Sequence, residues 1–364
     1  MKPGRTLTEL AMELDRQNSA KKDFLLDTRS LIMDADETGA MLTMVNEKTG
    51  QNTILGINDV AHSQIATALG IPTRYYEKMQ QQNPALLAEN VNAWFNNEPK
   101  VHMVRTMTTE DTGVRYARAF LSDRYRRIDN YDLANQVLPM LQDMNVKFES
   151  NEVTDQRMYI KVVNERITKE VKPGDYVQSG LIITNSEVGM GTVTIQPLLY
   201  RLVCTNGMVV NAAHNRTKRR HIGKRNFAND DFVMYADDTL LADDRALLLK
   251  IRDTIHAALD EVHFTNLIDQ MRSAAEVPIT TTHIPEMVQL AAPEFGFTKH
   301  ESEGILDHLI RGGDLSLYGF SNAVTRYAQD VKSYDRSTEL EEIGYDVLNM
   351  SPKLWKRLQE AEAA

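Results

Sequence analysis

Between residues 101 and 211 the chain is cut into short apolar runs, mostly by connections too brief to hold a crossover helix. This rhythm restricts the fold more than any other feature of the sequence. VHMVRTMTT and GVRYARAFLS alternate like paired strands around the polar turn EDTG. KFESNEVTDQRMYIKVVN, DYVQSGLIITNSE and TVTIQPLLYRLVCTNGMVVN continue in the same manner, the last with Asn206-Gly207 at a turn-forming position. One helical pattern interrupts them, YDLANQVLPMLQDMN, with Pro139 as a local flaw. The prediction is an α+β chain with a central antiparallel β-rich unit.

The flanks read as helical. Residues 6–30 place Leu7, Leu10, Leu14, Phe24 and Leu25 at helical spacing and predict an amphipathic N-terminal helix. MLTMV and TILGI are β-prone runs separated by turn-rich NEKTGQN and predict a short hairpin. Asn58 or Asp59 then caps NDVAHSQIATALG, Thr73 caps TRYYEKMQQQ, and NPALLAENVNAWFNN forms a third helix. Beyond the β-rich unit lies NDDFVMYADDTLLADD, with six Asp, read as a solvated acidic loop. A long helical pattern over about 244–275 and further helices to the C-terminus follow it. The predicted organisation is a mostly helical region with a hairpin at 1–98, a β-rich core at 99–228, and an acidic loop with a helical region at 229–364.

At 364 residues, 42% hydrophobic and 25% charged, the chain has the composition of a soluble globular protein. No apolar run approaches the roughly 18 residues that span a bilayer. MKPGRTLTELAMELDRQ lacks the apolar stretch of a secretory signal, so the expected location is the cytoplasm, with no membrane partner. The lone Cys204 rules out an internal disulfide and a cysteine-based zinc site.

Charge gives the functional lead. RLVCTNGMVVNAAHNRTKRRHIGKR, residues 201–225, holds seven Lys/Arg and two His and no Asp or Glu, while the whole chain carries −10. A basic island in an acidic chain points to an anionic ligand. Its cations are Arg201, Arg216, Lys218, Arg219, Arg220, Lys224 and Arg225, with His221 among them. A second cluster, Arg115, Arg118, Arg124, Arg126 and Arg127, is interleaved with Tyr116, Phe120 and Tyr125. Arginine beside aromatic rings on a β-surface suits single-stranded nucleic acid, where guanidinium meets phosphate and rings stack on bases. Ion pairing and core packing compete with that reading at Arg115, Arg118 and the tyrosines.

Other patterns carry less. HSQIATALGIPTRYYEKM has the Ala66–Gly70 spacing of a helix-turn-helix, but Arg74 and Lys78 are the only cations of its second helix, which reads better as part of a plain helical hairpin. Gly189 and Gly191 form a GxG with no following helix, so a sharp turn is expected rather than a dinucleotide site. Cys204 with His214 or His221 would make a thiolate–imidazole pair, yet its apolar, strand-like surroundings suit inert packing. Asp123, Asp129, Glu187 and His221 are the candidate ligands of a metal-dependent nuclease, without a diagnostic spacing.

LYRLVCTNGMVV at 199–210, NSEVGMG at 185–191, SDRYRRIDNYDL at 122–133 and SNAVTRYAQD at 321–330 resemble the phage/plasmid-like proteins grouped as domain of unknown function 932. The last segment is similar to that family's C-terminal Asn-x-x-Thr pattern. The resemblance covers about residues 50–350. It implies a setting on phages, plasmids and integrated elements near DNA-metabolism genes but no established activity, so no catalytic residues carry over from it; no cofactor and no metal are expected.

The resulting expectation is a DNA-binding accessory protein for single-stranded DNA in replication, recombination or transfer, without catalytic activity of its own. Its site would be Arg115, Arg124, Tyr125, Arg126 and Arg127, backed by Arg216, Lys218, Arg219, Arg220, His221, Lys224 and Arg225. A metal-dependent nuclease and a host-factor-binding, anti-defence protein are the alternatives, and a second copy of the chain is a further candidate partner.

Overall fold

The alternating runs form strands, but they are shared between two sheets rather than gathered in one. The computed structural model describes residues 1–36, 39–45, 52–125, 127–211, 217–219 and 237–360, with backbone alone at 217–219, 237–244 and 248.

Helix α1 (Leu7–Ala20) begins at a capping box in which Thr6 and Glu9 satisfy each other's backbone N–H, and it buries Leu10 and Leu14. It does not reach Phe24 and Leu25 as predicted. After Leu14 no large apolar residue keeps the helical phase, and the chain turns into strand β1 (Lys21–Asp27). Strands β2 (Leu31–Asp36), β3 (Gly39–Val45) and β4 (Asn52–Ile57) form an antiparallel meander that contains the predicted hairpin. Helices α2 (Asp59–Ala68), α3 (Thr73–Gln82) and α4 (Pro84–Asn97) follow. Asn58 caps α2 and Asn83 caps α4, whereas Thr73 is already inside α3 and Pro72 precedes it without a side-chain cap. Strands β5 (Val101–Thr108) and β6 (Arg115–Ser122) pair as predicted.

These six strands make the first sheet, in the order β1-β5-β6-β4-β3-β2. Residues 1–98 therefore hold strands β1 to β4 beside helices α1 to α4, and β5 and β6, beyond residue 98, complete the same sheet. One pairing, β4 with β6, is parallel, made possible by the helices that intervene between the two strands. Helices α2 to α4 cover one face, burying Leu42, Leu55, Ile65, Tyr76, Val91 and Phe95 in a common core.

Helix α5 (Asn130–Asp143) carries Pro139 in its interior and leads into β7 (Lys147–Val153), β8 (Met158–Lys172), β9 (Asp175–Asn185), β10 (Val193–Arg201) and β11 (Asn206–Val209). The second sheet has the order β11-β10-β9-β8-β7, and a short strand β12 (Thr217–Arg219) pairs with β10 ahead of β11. The turn between β10 and β11 is Leu202–Thr205, where Thr205 takes φ 51°. Asn206-Gly207 is not the turn but the start of β11, facing Arg201 and Tyr200. Gly207 suits a crowded position, since a Cβ would lie 2.7 Å from Cγ of Met1, whose side chain would have to shift. Gly189, at φ 77°, supplies the sharp turn between β9 and β10 that the GxG pattern suggested.

The C-terminal region is helical: α6 (Asp237–Ala258), α7 (Glu261–Ala275), α8 (Ile284–Phe295), α9 (Lys299–Gly312), α10 (Leu317–Tyr327), α11 (Tyr334–Leu348) and α12 (Pro352–Gln359). The acidic stretch is not a loop from residue 237 onward, because Asp237 opens α6. The long pattern over 244–275 is two helices, divided where Asp260 caps α7. Residues 230–236 lie outside the described residues.

Both faces of the second sheet are buried. Met158, Ile160 and Val162 of β8 pack with α1, α5 and α6, and the alternate positions Tyr159, Lys161 and Val163 face the side of α11. Among the described residues no helix is long and apolar enough to cross a membrane.

Candidate nucleic-acid interface

Strand β6 and the turn after it carry the first arginine cluster, and most of it is engaged by the protein itself. Arg118 is buried and its Nη1 donates to Glu187 Oε2 at 3.0 Å. Arg115 is half-buried, its Nη1 donating to Thr106 Oγ1 at 2.9 Å. Arg127 is exposed but pairs with Asp23 at 3.1 Å. Arg124 is exposed and has no ion-pair partner among the described residues, and Arg126 lies outside them. The Tyr125 hydroxyl donates to the Ser186 carbonyl at 3.0 Å, its ring packs against the cluster of Met103, Leu121 and Val188, and burial pushes its phenol up. Tyr125 is committed to the fold rather than presented as an open surface for a base.

Behind this cluster lies an ionic network that links the two sheets. Arg105 of β5, 1% exposed, donates to Asp23 at 2.9 Å, to Asp129 at 2.7 Å and to the Glu187 carbonyl at 2.8 Å. Lys21 reaches the other Asp129 oxygen at 2.6 Å, and Glu187 also accepts the Asn130 backbone N–H at 2.6 Å. Burial alone would lower the Arg105 guanidinium, but Asp129 and Asp23 outweigh it and raise its pKa. Burial alone would raise the Asp129 carboxyl, and Arg105 with Lys21 more than offsets it, so Asp129 sits below the usual carboxylate range. The sequence pattern held a signal for this residue. Arg105 is in phase with buried Met103 and Met107, and a cation on the apolar face of an alternating strand needs buried partners.

The same contacts bear on the nuclease alternative. Asp129 and Glu187 do approach one another, but around guanidinium groups rather than an open site, while Asp123 is exposed. Among the described residues no three His, Cys, Asp or Glu side chains could hold a metal ion, and His221 lies outside them.

The second cluster divides. Arg201 belongs to the fold: it grips Asp175 with Nε at 2.6 Å and Nη2 at 2.8 Å, donates to Cys204 Sγ at 3.3 Å, and lies over the Tyr318 ring. Cys204 is accordingly in a half-exposed turn, not buried in a strand. Lys218 and Arg219 lie in β12, opposite Thr194 and Val193. Arg216, Arg220, His221, Lys224 and Arg225, with His214, are outside the described residues.

Of the second stretch, Lys218 and Arg219 nonetheless lie at the end of the second sheet that adjoins the β9–β10 turn. Val193, the partner of Arg219, directly follows the β9–β10 turn that receives the Tyr125 hydroxyl. Arg157 anchors that same turn, donating to the Met190 carbonyl at 3.1 and 2.6 Å.

A family model described as Domain of unknown function (DUF932) matches residues 118–343. The chain belongs to this family. The DUF932 region takes in the whole second sheet and helices up to α11, and leaves α2, α3 and α4 outside. Within it, the β10–β11 turn is held to α10 and the residues just after it. Tyr318 donates to Asp175 at 3.0 Å, and Gln329 donates to the Cys204 carbonyl at 3.2 Å. No curated protein and no solved structure matched the chain.

Proposed function

We propose that this DUF932 protein binds single-stranded DNA at the β12 end of its second sheet. It would serve as a non-catalytic accessory factor in replication, recombination or transfer of a phage, plasmid or integrated element. The observation that carries the reading is the run from Arg216 to Arg225, six cations without one carboxylate in an acidic chain. Its placement adds support, because Lys218 and Arg219 enter the sheet beside the turn that neighbours exposed Arg124. Phosphate neutralisation by such a strip is independent of base sequence and steeply salt-dependent. The loss of Tyr125 as a free ring shifts the expected balance from stacking toward charge.

The test is fluorescence anisotropy with labelled oligonucleotides, in DNA and RNA arms and over a salt series. The combined variant R219A/R220A/K224A should weaken binding by a similar factor for every sequence and flatten the log–log salt slope by about 2. Failure of the wild-type protein to bind any oligonucleotide at low salt would end this reading.

A further inference from the structure

A separate cleft of 560 Å³ lies between α2, α3 and the β3–β4 hairpin, away from the basic stretches. Asp59, His62 and Ser63 of α2 stand at i, i+3 and i+4, and Thr73, Tyr76, Glu77 and Gln80 of α3 repeat that spacing. Each helix thus turns a polar stripe to the cleft, while Ala61 and Ile65 of α2 and Met79 of α3 pack into the core. At its wall His62 is only 5% exposed, and its Nδ1 lies 2.9 Å from the buried Tyr76 hydroxyl. The other ring nitrogen, Nε2, has no partner among the described residues. A polar ring atom that lines a cleft and is left without a protein partner is open to a ligand.

The lining gives the chemistry of that ligand. Among the described residues no Lys or Arg borders the cleft, whereas two carboxylates, Asp59 and Glu77, do. An anion is therefore disfavoured, and N–H donors are complemented. We infer that this cleft binds a small neutral or cationic ligand whose amino or amidine N–H groups meet Asp59, Glu77 and the His62–Tyr76 pair. Burial also keeps the imidazole neutral at physiological pH, holding His62 near 4. The pair can then present either polarity. With the Tyr76 O–H donating to Nδ1, Nε2–H is a donor; with Nδ1–H donating to the phenol oxygen, Nε2 is an acceptor. The site lies outside the matched DUF932 region and uses none of the basic residues, so it stands or falls apart from the DNA-binding reading.

The experiment titrates protein labelled with ¹⁵N-histidine with adenosine, cytidine, 1,4-diaminobutane and, separately, inorganic phosphate. His62 ring signals are assigned from their loss in H62Q. At least one amine-bearing probe should shift those signals and saturate, with phosphate inert. Response to the nucleosides alone assigns a base as the ligand, and response to the diamine alone a free amine. H62F, followed by calorimetry because it carries no His62 signal, should weaken the responding probe about tenfold. E77Q, at an exposed position where folding is not at stake, should weaken it several-fold. The inference is overturned if no amine probe shifts His62, if phosphate does so equally, or if both variants bind as the wild type does.

Discussion

The Asn206 side-chain amide donates to the Thr325 hydroxyl at 2.5 Å, joining the first residue of β11 to helix α10 across 119 residues of sequence. Both residues are buried, and Thr325 in turn donates to the Asn322 carbonyl at 3.2 Å. Two of the segments that carry the resemblance to DUF932 thus meet in one interface. Their shared role is to hold the β10–β11 turn against the C-terminal helices.

Replacing Thr325 by Val keeps the volume and leaves the Asn206 amide without its acceptor. The expected cost is about 1–3 kcal/mol in urea unfolding. A variant as stable as the wild type would show that the contact contributes nothing to the fold.

Arg105 is the keystone between the sheets. R105M retains much of the packing but strands Asp23 and Asp129 with only Lys21 and Arg127 for company. A loss of about 3–5 kcal/mol is expected, as for other buried pairs deprived of one partner. Adding D129N to R105M should recover part of it, a coupling that a double-mutant cycle measures directly.

Lys161 of β8 and Glu341 of α11 are 0% and 1% exposed and meet at 2.6 Å, with Thr338 accepting a second bond from the ammonium. Burial opposes the charged lysine, but Glu341 more than compensates and its pKa stays above the ordinary value. K161M should therefore destabilise strongly, whereas K161M/E341L should be much closer to the wild type, because an apolar pair leaves no buried charge behind. Thermal unfolding of the three variants decides this. A double variant no better than K161M would refute it.

His62 gives a pH signature. Its value is about 4 in the folded chain and 6.5 when unfolded, mainly through burial. Between those limits the unfolded state binds the proton and the native state does not, so stability rises with pH. The contribution is complete above pH 6.5 and fades as pH falls toward 4. H62Q should flatten the stability profile between pH 5 and 6.5, above the range where most carboxylates titrate. Identical slopes for the two proteins would contradict the assignment.

The β-rich middle and its helical flanks were legible because period-2 and period-3.6 burial leave different marks on a sequence. Strand β1 was not, since Phe24 and Leu25 follow an amphipathic helix closely enough to look like its continuation. What identifies them is register with Val104 and Met103, about 80 residues away. Asn206-Gly207 misled for a related reason. The dipeptide has the local chemistry of a turn, but its long-range partners, Met1 and Thr325, put it in a strand. At the candidate site the alternation could have flagged Arg105 and Lys161 as buried cations. Nothing local could say that Arg118 and Arg127 would be neutralised by Glu187 and Asp23, because such pairs are set by tertiary contacts.

The parallel pairing of β4 with β6 rests on two residue pairs, Gly56 with Tyr116 and Ile57 with Ala117, and among the described residues it is the strand pairing that joins the β2–β3–β4 meander to the other half of the first sheet. Such a seam is where the molecule would come apart first under load. Amide protons of β4 should exchange well before those of β5, and a tether pulling on the meander should release it, with the wall it gives the His62 cleft, while the second sheet still holds.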